Sequence, residues 1–561
     1  MGTRSHAKRS FSLLIALALI VSACGGSSAP AAENLDFTAR SWPEAGAGTC
    51  ADGATGFAQI RSINEHTVEF QLCAPDPAFL QKIALPTFGI QDSGYLKAHA
   101  GDGSMVTAPN GTGPYSLKIW ERGSQIVLSR FDGYWGEKAH AKTAVIQWQA
   151  DAAARLLALQ SGTVDGIDNV APQDSAAIEG DTSLKLYPRE ALNTMYIGMN
   201  NTFKPFDDVR VRKAIALALD RQRIVDLFYP AGSEVASHYV PCSLEFGCEG
   251  DALYGQNIIE AKRLLAEAGF PNGFSTTLSL RDVVRSYLPA PQAVATDIQE
   301  QLAAIGVNAT IDVQESTSYF DNVLSGNVAG LFIFAWVPDF PDTSNFVIGQ
   351  FGENAGPVLG SMYEELNAAA VAAANEPDAA KRKLLYAQVN ALINTLAPFV
   401  PVAHGGSAVA FKADVSGAYT SPLLTEQLAL MAPKGRDSLV FVQGAEPGGL
   451  YCADEEDGES LRACSQIQES LYGFDSGSMI ASPRLAEACT ASDDLLTWTC
   501  TIRKNVRFHN GATLDASDVI DSYAAIWDCA HPYHVGRTGT FGGWGSMWGE
   551  FLSQERCISG E

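Results

Sequence analysis

Side chains able to do chemistry are spread along these 561 residues, and few fall at a spacing that a reaction requires. There is no HExxH, no glycine-rich P-loop and no G-x-S-x-G elbow, which removes the usual signatures of zinc proteases, nucleotide hydrolases and serine hydrolases. His531 and His534 in "HPYH" have the separation of paired metal ligands, but Pro532 between them and a surface-loop setting argue against a metal site. His404 and His509 read as structural. Asp207, Asp208, Arg210 and Arg212 form the densest charged cluster, at the start of a predicted helix, where such residues cap and buttress the first turn. "WVPDFPD" (336–342) sets Asp339 and Asp342 beside Pro338 and Pro341, where short carboxylates commonly cap turns. Glu446 ends the predicted strand "LVFVQGAE", facing either a cleft or solvent. Trp544 and Trp548 in "GGWGSMWG" read as cover for a core in preference to a stacking platform. No catalytic centre, cofactor or metal is expected from these spacings.

The elements that must hold these residues follow an α/β grammar. "GFAQIRSINEHTVEFQL" reads as two strands about a polar turn, and residues 110–136 as a glycine-rich turn and a second hairpin turning at Arg122–Gly123. "DAAARLLALQSGTVDGI" is a helix ended by Gly162 and followed by a strand. Helices are expected over 207–229, in "NIIEAKRLLAEAGF", over about 290–304 and along the alanine-rich 361–396, with strands at "FSTTLSL" and "VNATIDVQE" between them. Near the end, Thr497, Thr499 and Thr501 alternate with Trp498, Cys500 and Ile502, the period of a two-faced strand. Asp515 and Asp518 then open a helix as a capping pair. That sequence of elements looks like the early part of a large domain, yet the chain stops 34 residues after Trp527.

Bulk properties limit the partners. A formal charge of −25 and a pI near 4.7 argue against nucleic acid, which needs a basic surface. With 46% hydrophobic residues the chain is not a disordered one, and its length suggests more than one lobe. Arg4, Lys8 and Arg9 precede the apolar "FSLLIALALIV" and the small residues leading to Cys24, a tripartite export signal too short to remain as a membrane span. "VSAC" and the following "GGSSAPAAEN" resemble a bacterial lipobox and tether, which implies cleavage before Cys24 and lipidation, palmitate included, of its thiol. Eleven cysteines less Cys24 leave ten, an even number in an exported chain. Cys489 and Cys500 face each other across a hairpin, while Cys242 with Cys248 and Cys452 with Cys464 close short loops; Cys50, Cys73, Cys529 and Cys557 stay unassigned.

Several long stretches resemble the large solute-binding proteins of bacterial ABC importers, the dipeptide/oligopeptide/nickel class known as solute-binding family 5. They are "NGTGPYSLKIW" with "DGYWGEK", "LNTMYIGMNNTFKPFDDVRVRKAIALALDR", "LFIFAWVPDFPDTSNFV", and the hairpin and helix of "DDLLTWTCTIRKNVRFHNGATLDASDV". The resemblance implies an α/β, two-lobed periplasmic-binding-protein-like fold (type II, large cluster) whose lobes close on a ligand about a hinge. It also implies a monomer bound to the membrane through its lipid, which passes a peptide-like solute to permease and ATPase subunits and makes no bond. The same scaffold with a nickel chelate or oligosaccharide, or a lipid-anchored binding protein uncoupled from import, are the alternatives. In peptide-binding members the Asp of the Trp-x-x-Asp segment pairs with the ligand's α-amino group. By position that is Asp339, with Trp336 as an apolar wall and Phe340, Asp342 and Glu446 as further ligand-facing residues.

The order of the pieces departs from the family, in which the signature hairpin and the strand like "DSLVFVQGAEP" come first; here they occupy 437–535. Circular permutation, with old ends joined through "APKGRD", is the simplest account, while exchange of halves between two molecules and a misassembled sequence are the others. The expected layout is a signal over 1–23, lipidated Cys24 and tether over 24–50, and one lobe over 51–235, 408–436 and 437–561. The other lobe is expected over 236–407, with crossings near 236–240 and at "PVAHGG".

Overall fold

The computed structural model describes residues 37–44, 50, 56–352, 356–360, 363–549 and 551–559; the signal segment, Cys24 and most of the tether lie outside them. From Thr38 onward the chain is one compact unit built on three large sheets.

The first sheet is wholly antiparallel and joins the two ends of the chain. Its order is Ser41–Trp42, Phe57–Asn64, Thr67–Leu72, Thr497–Ile502 and Ala486–Ala491. In Thr67–Leu72 buried and half-buried residues alternate strictly, as a strand with one face on a core demands. The helix Ala516–Trp527 starts on a reciprocal capping box between Asp515 and Asp518 and packs on the Phe57–Asn64 strand. Between them lies an aromatic core: the Phe57 ring meets Trp544 at 5.1 Å and Trp548 at 4.7 Å, and Trp527 stacks on Trp544 at 5.8 Å.

The second sheet runs Tyr115–Glu121, Gln125–Arg130, Thr143–Trp148, Ser438–Gln443, Gly166–Ile167, Ser407–Lys412 and Leu184–Arg189. Ser438–Gln443 comes late in sequence but lies in the interior of the sheet, parallel to Thr143–Trp148 on one side and to Gly166–Ile167 on the other. The turn before it is Lys434-Gly435, with Gly435 at φ +71°, a left-handed conformation that glycine adopts without cost. At the ends of Gly166–Ile167 and Leu184–Arg189, Asp168 and Glu426 each bridge both Arg189 and Arg462, at 2.6–2.9 Å, in a closed four-charge ring that is almost wholly buried.

The third sheet, Glu234–Val235, Phe399–His404, Thr194–Met199, Leu331–Trp336, Phe274–Arg281 and Val307–Gln314, is covered on both faces. Met195, Ile197 and Met199 enter one core and Tyr196 the other, which explains a strand with every residue buried. This corrects the expected layout. The sequence puts Thr194–Met199 with the first lobe, but it is hydrogen-bonded between Phe399–His404 and Leu331–Trp336. The chain therefore crosses between the two bodies at 190–193, well before 236, and returns at Gly405–Gly406, within the "PVAHGG" segment.

Among the described residues five disulfides form: Cys50–Cys73, Cys242–Cys248, Cys452–Cys464, Cys489–Cys500 and Cys529–Cys557.

Candidate functional site

At the crossing, the Asn193 amide reads the Gly405 backbone as a strand would, donating to its carbonyl at 2.7 Å and accepting from its N–H at 2.9 Å. His404 Nδ1 lies 2.9 Å from the Asn193 carbonyl and 3.1 Å from Thr194 Oγ1, and burial pushes its imidazole down to about 4, so it is neutral at physiological pH. A side chain at 405 or 406 would collide with the backbone of Ser286 or Gly232, so both glycines are required for the strands to pass.

A solvent-open cavity of about 300 Å³ is lined by residues of both bodies. The third-sheet body contributes Leu192 and the Val337–Asp339 segment. The other body contributes Leu85–Thr87, Pro422–Thr425, Glu455, Glu456, Leu461, and Gly542, Gly543, Ser546 and Met547 of the helix Gly542–Trp548. The walls are mainly aliphatic, and the ionisable side chains among them are all carboxylates.

Asp339 follows the strand Leu331–Trp336 and reaches solvent inside this cavity. Asn345, in the first turn of the helix Thr343–Phe351, holds the segment. Its Oδ1 accepts from Trp336 Nε1 at 3.0 Å and from the Asp339 N–H at 3.3 Å, and its Nδ2 donates to the Asp339 carboxylate at 3.3 Å. Burial by the surrounding walls pushes the Asp339 carboxyl up, while hydrogen bonds from Asn345 and from Ser546 on the facing wall pull it back. A carboxylate placed in this way can meet a ligand ammonium away from bulk water.

The other expected residues are used differently. Trp336 spends its N–H on Asn345 and lays its ring against Gly349, where a β-carbon would overlap it. Phe340 is buried under the Lys82 ammonium, 4.8 Å from its ring centre; the same ammonium lies 4.5 Å from a Trp548 ring and pairs with Asp76 at 2.7 Å. Asp342 caps the Thr343–Phe351 helix through the Ser344 N–H and pairs with Arg382 at 2.7 Å, both side chains being buried. Glu446 accepts from Trp120 Nε1 and the Gly123 N–H, latching the hairpin turn at 122–123. Of the five expected ligand-facing residues only Asp339 lines the cavity; in the other polar ones the side chain already has protein partners. Trp544 and Trp548 are fully buried, and it is the other residues of their helix that face the cavity. His531 packs edge-on against Trp42 at 4.7 Å, and His534 lies with the Cys529–Cys557 pair, whose sulfurs are bonded to each other.

The profile of the family described as bacterial extracellular solute-binding proteins, family 5, matches residues 29–357 and 481–541, and the chain belongs to that family. It is thus an extracytoplasmic binding component of the ABC-importer class, not an enzyme. The dipeptide-binding protein of Escherichia coli (strain K12) is 30% identical over 376 residues, covering 65% of this chain and 69% of that one. Heme-binding protein A of Haemophilus influenzae is 29% identical over 375 residues, covering 65% and 67%. Among solved structures, HbpA2 from Haemophilus parasuis superposes with a TM-score of 0.60 at 28% identity over 66% of this chain and 74% of that one. A dipeptide-binding protein from Pseudoalteromonas sp. SM9913 in complex with Met-Leu shares the fold, with a TM-score of 0.57 at 23% identity over 68% and 76%. Among the described residues no helix is long and apolar enough to cross a membrane.

Proposed function

We propose that this protein captures short peptides in the cavity between its two bodies, closes on them about the Asn193–Gly405 crossing, and delivers them to the permease and ATPase subunits of an importer. The observation that carries this reading is Asp339, a solvent-accessible carboxylate set by Asn345 in an otherwise largely aliphatic cavity lined from both bodies. A cavity of about 300 Å³ is at the small end of the ~300–1,000 Å³ usual for small-ligand sites, a size that suits a short peptide. The ligand's backbone would add hydrogen bonds of no sequence preference, and its ammonium the one fixed charge contact. The names of the relatives that bind dipeptides support the same ligand class. The test is titration calorimetry with alanyl-phenylalanine on protein freed of ligand by unfolding and refolding with disulfides intact. Binding that falls at least tenfold in Asp339→Ala supports the anchor; unchanged affinity removes Asp339 from that role.

In this proposal the chain is a monomer held at the membrane by lipid on Cys24, with 190–193 and 405–406 as the hinge. Its segment order is a circular permutation, a reading supported by the interior place of Ser438–Gln443 and by the pairing of Thr497–Ile502 with Thr67–Leu72. Intact-mass analysis of membrane-extracted protein tests the lipid. Native mass spectrometry tests the monomer, since exchanged halves would require a dimer.

A further inference from the structure

The acidic run "CADEEDGE" (452–459) forms part of the cavity's second wall, and most of its carboxylates are already occupied. Asp454 accepts from the backbone N–H groups of Thr538, Gly539 and Phe541. Glu455 is locked to Arg537 through two contacts, at 2.8 and 2.7 Å. Asp457 caps the helix Gly458–Cys464 through the Ser460 N–H. Glu456 is exposed, lines the cavity and has no hydrogen-bond or ion-pair partner among the described residues. Its carboxylate lies over Gly542, where a β-carbon would collide with it.

The cavity therefore carries Asp339 from one body and Glu456 from the other, with no Lys, Arg or His among the described residues of its lining. Two cations that touch residues of or beside this lining are spent, Arg537 on Glu455 and Lys82 on Asp76 beneath Phe340 and Trp548. A short zwitterionic peptide that enters whole would bring its own carboxylate into this field with nothing to neutralise it. We infer that the cavity discriminates against a free carboxylate and takes the cationic, N-terminal portion of a peptide, either one whose C-terminus remains outside or one carrying a basic side chain toward Glu456. This rests on the peptide reading above and adds the charge class of the ligand.

The experiment compares alanyl-phenylalanine with alanyl-phenylalanine amide by calorimetry at low salt. The amide should bind at least tenfold tighter, the gap should shrink in 300 mM salt, and Glu456→Gln should narrow it to about threefold or less. Equal or tighter binding of the free acid overturns the charge inference and leaves the peptide reading standing. Should neither peptide bind, the peptide reading falls, and phenethylamine and 3-phenylpropanoate then present opposite charges on one apolar frame. Binding of the amine alone upholds the cation preference. Binding of the acid, or of neither, overturns it.

Discussion

Replacing Glu426 by Gln should destabilise the whole Thr38–Glu561 unit, because it removes one charge from the ring of Asp168, Arg189, Glu426 and Arg462. The Glu426 carboxylate contacts Arg189 at 2.6 Å and Arg462 at 2.9 Å and is completely buried, so the variant leaves two guanidinium groups sharing one carboxylate. Removing one partner of a buried pair costs about 3–5 kcal/mol. With a urea m-value of roughly 3 kcal/mol/M, that is a midpoint shift of the order of 1 M. Burial alone would raise both carboxyls, but Arg462 and Arg189 outweigh it and hold Asp168 and Glu426 below their ordinary values. A carboxyl lowered in the folded state contributes stability above its unfolded pKa and loses it as pH falls through the folded one. The ring is therefore fully effective at neutral pH, and its contribution declines below about pH 4. Urea titrations followed by far-UV circular dichroism, repeated from pH 7 to pH 3, measure both quantities. Adding Arg462→Gln restores neutrality and should recover part of the loss. A midpoint within 0.3 M of wild type at pH 7, or an unchanged acid slope in Glu426→Gln, would refute this reasoning.

Three further outcomes are expected. Asp339→Asn should remove the acid limb of peptide binding: affinity in the wild type falls as pH drops toward the raised Asp339 pKa, because the ammonium loses its counter-charge, whereas the variant should bind weakly and evenly across pH in calorimetry. Asp518, chiefly through burial, is pushed up to about 7, so its contribution to stability is present at low pH and is lost as pH rises from its unfolded value through 7. Melting temperatures of Asp518→Asn between pH 5 and 8 should accordingly vary less than those of wild type, and equal slopes would count against it. Asn193→Ala should loosen the crossing without touching the cavity, so that small-angle scattering of the ligand-free protein shows a larger radius of gyration; an unchanged radius would give the Gly405 contacts no part in setting the angle.

What could be read from sequence was whatever depended on near neighbours. The hairpin containing Cys489 and Cys500 follows from alternation, the helix at Ala516 from its acidic cap, and the short-loop cysteine pairs from proximity along the chain. Cys50–Cys73 and Cys529–Cys557 join segments 23 and 28 residues apart that the tertiary arrangement brings together, which spacing does not encode. The early crossing was invisible because "TMYIGM" would be buried in either body, and only its hydrogen-bonding neighbours decide which. In the site, Asp339 stood out through its Trp-x-x-Asp setting, but the facing wall comes from four separated segments with no shared motif. Asn345, which orients Asp339, carried no signal beyond its place in a helix's first turn. The residues of the buried ring are each solitary in sequence, and nothing short of the tertiary arrangement joins 168 to 462.

The interior position of Ser438–Gln443 sets an order of events for a chain that emerges from its N-terminus. Residues 194–404 contain a complete sheet and nearly all of both its cores, so that body can assemble while the rest is still being made. The second sheet cannot, since Thr143–Trp148 and Gly166–Ile167 wait with open edges for a strand almost three hundred residues behind them. A chain released early, before residue 443, would hold one finished body and one exposed pair of strand edges, the template on which aggregation and proteolysis act. Quality control on this protein therefore has a built-in readout: until its last quarter arrives, half of it stays visibly unfinished.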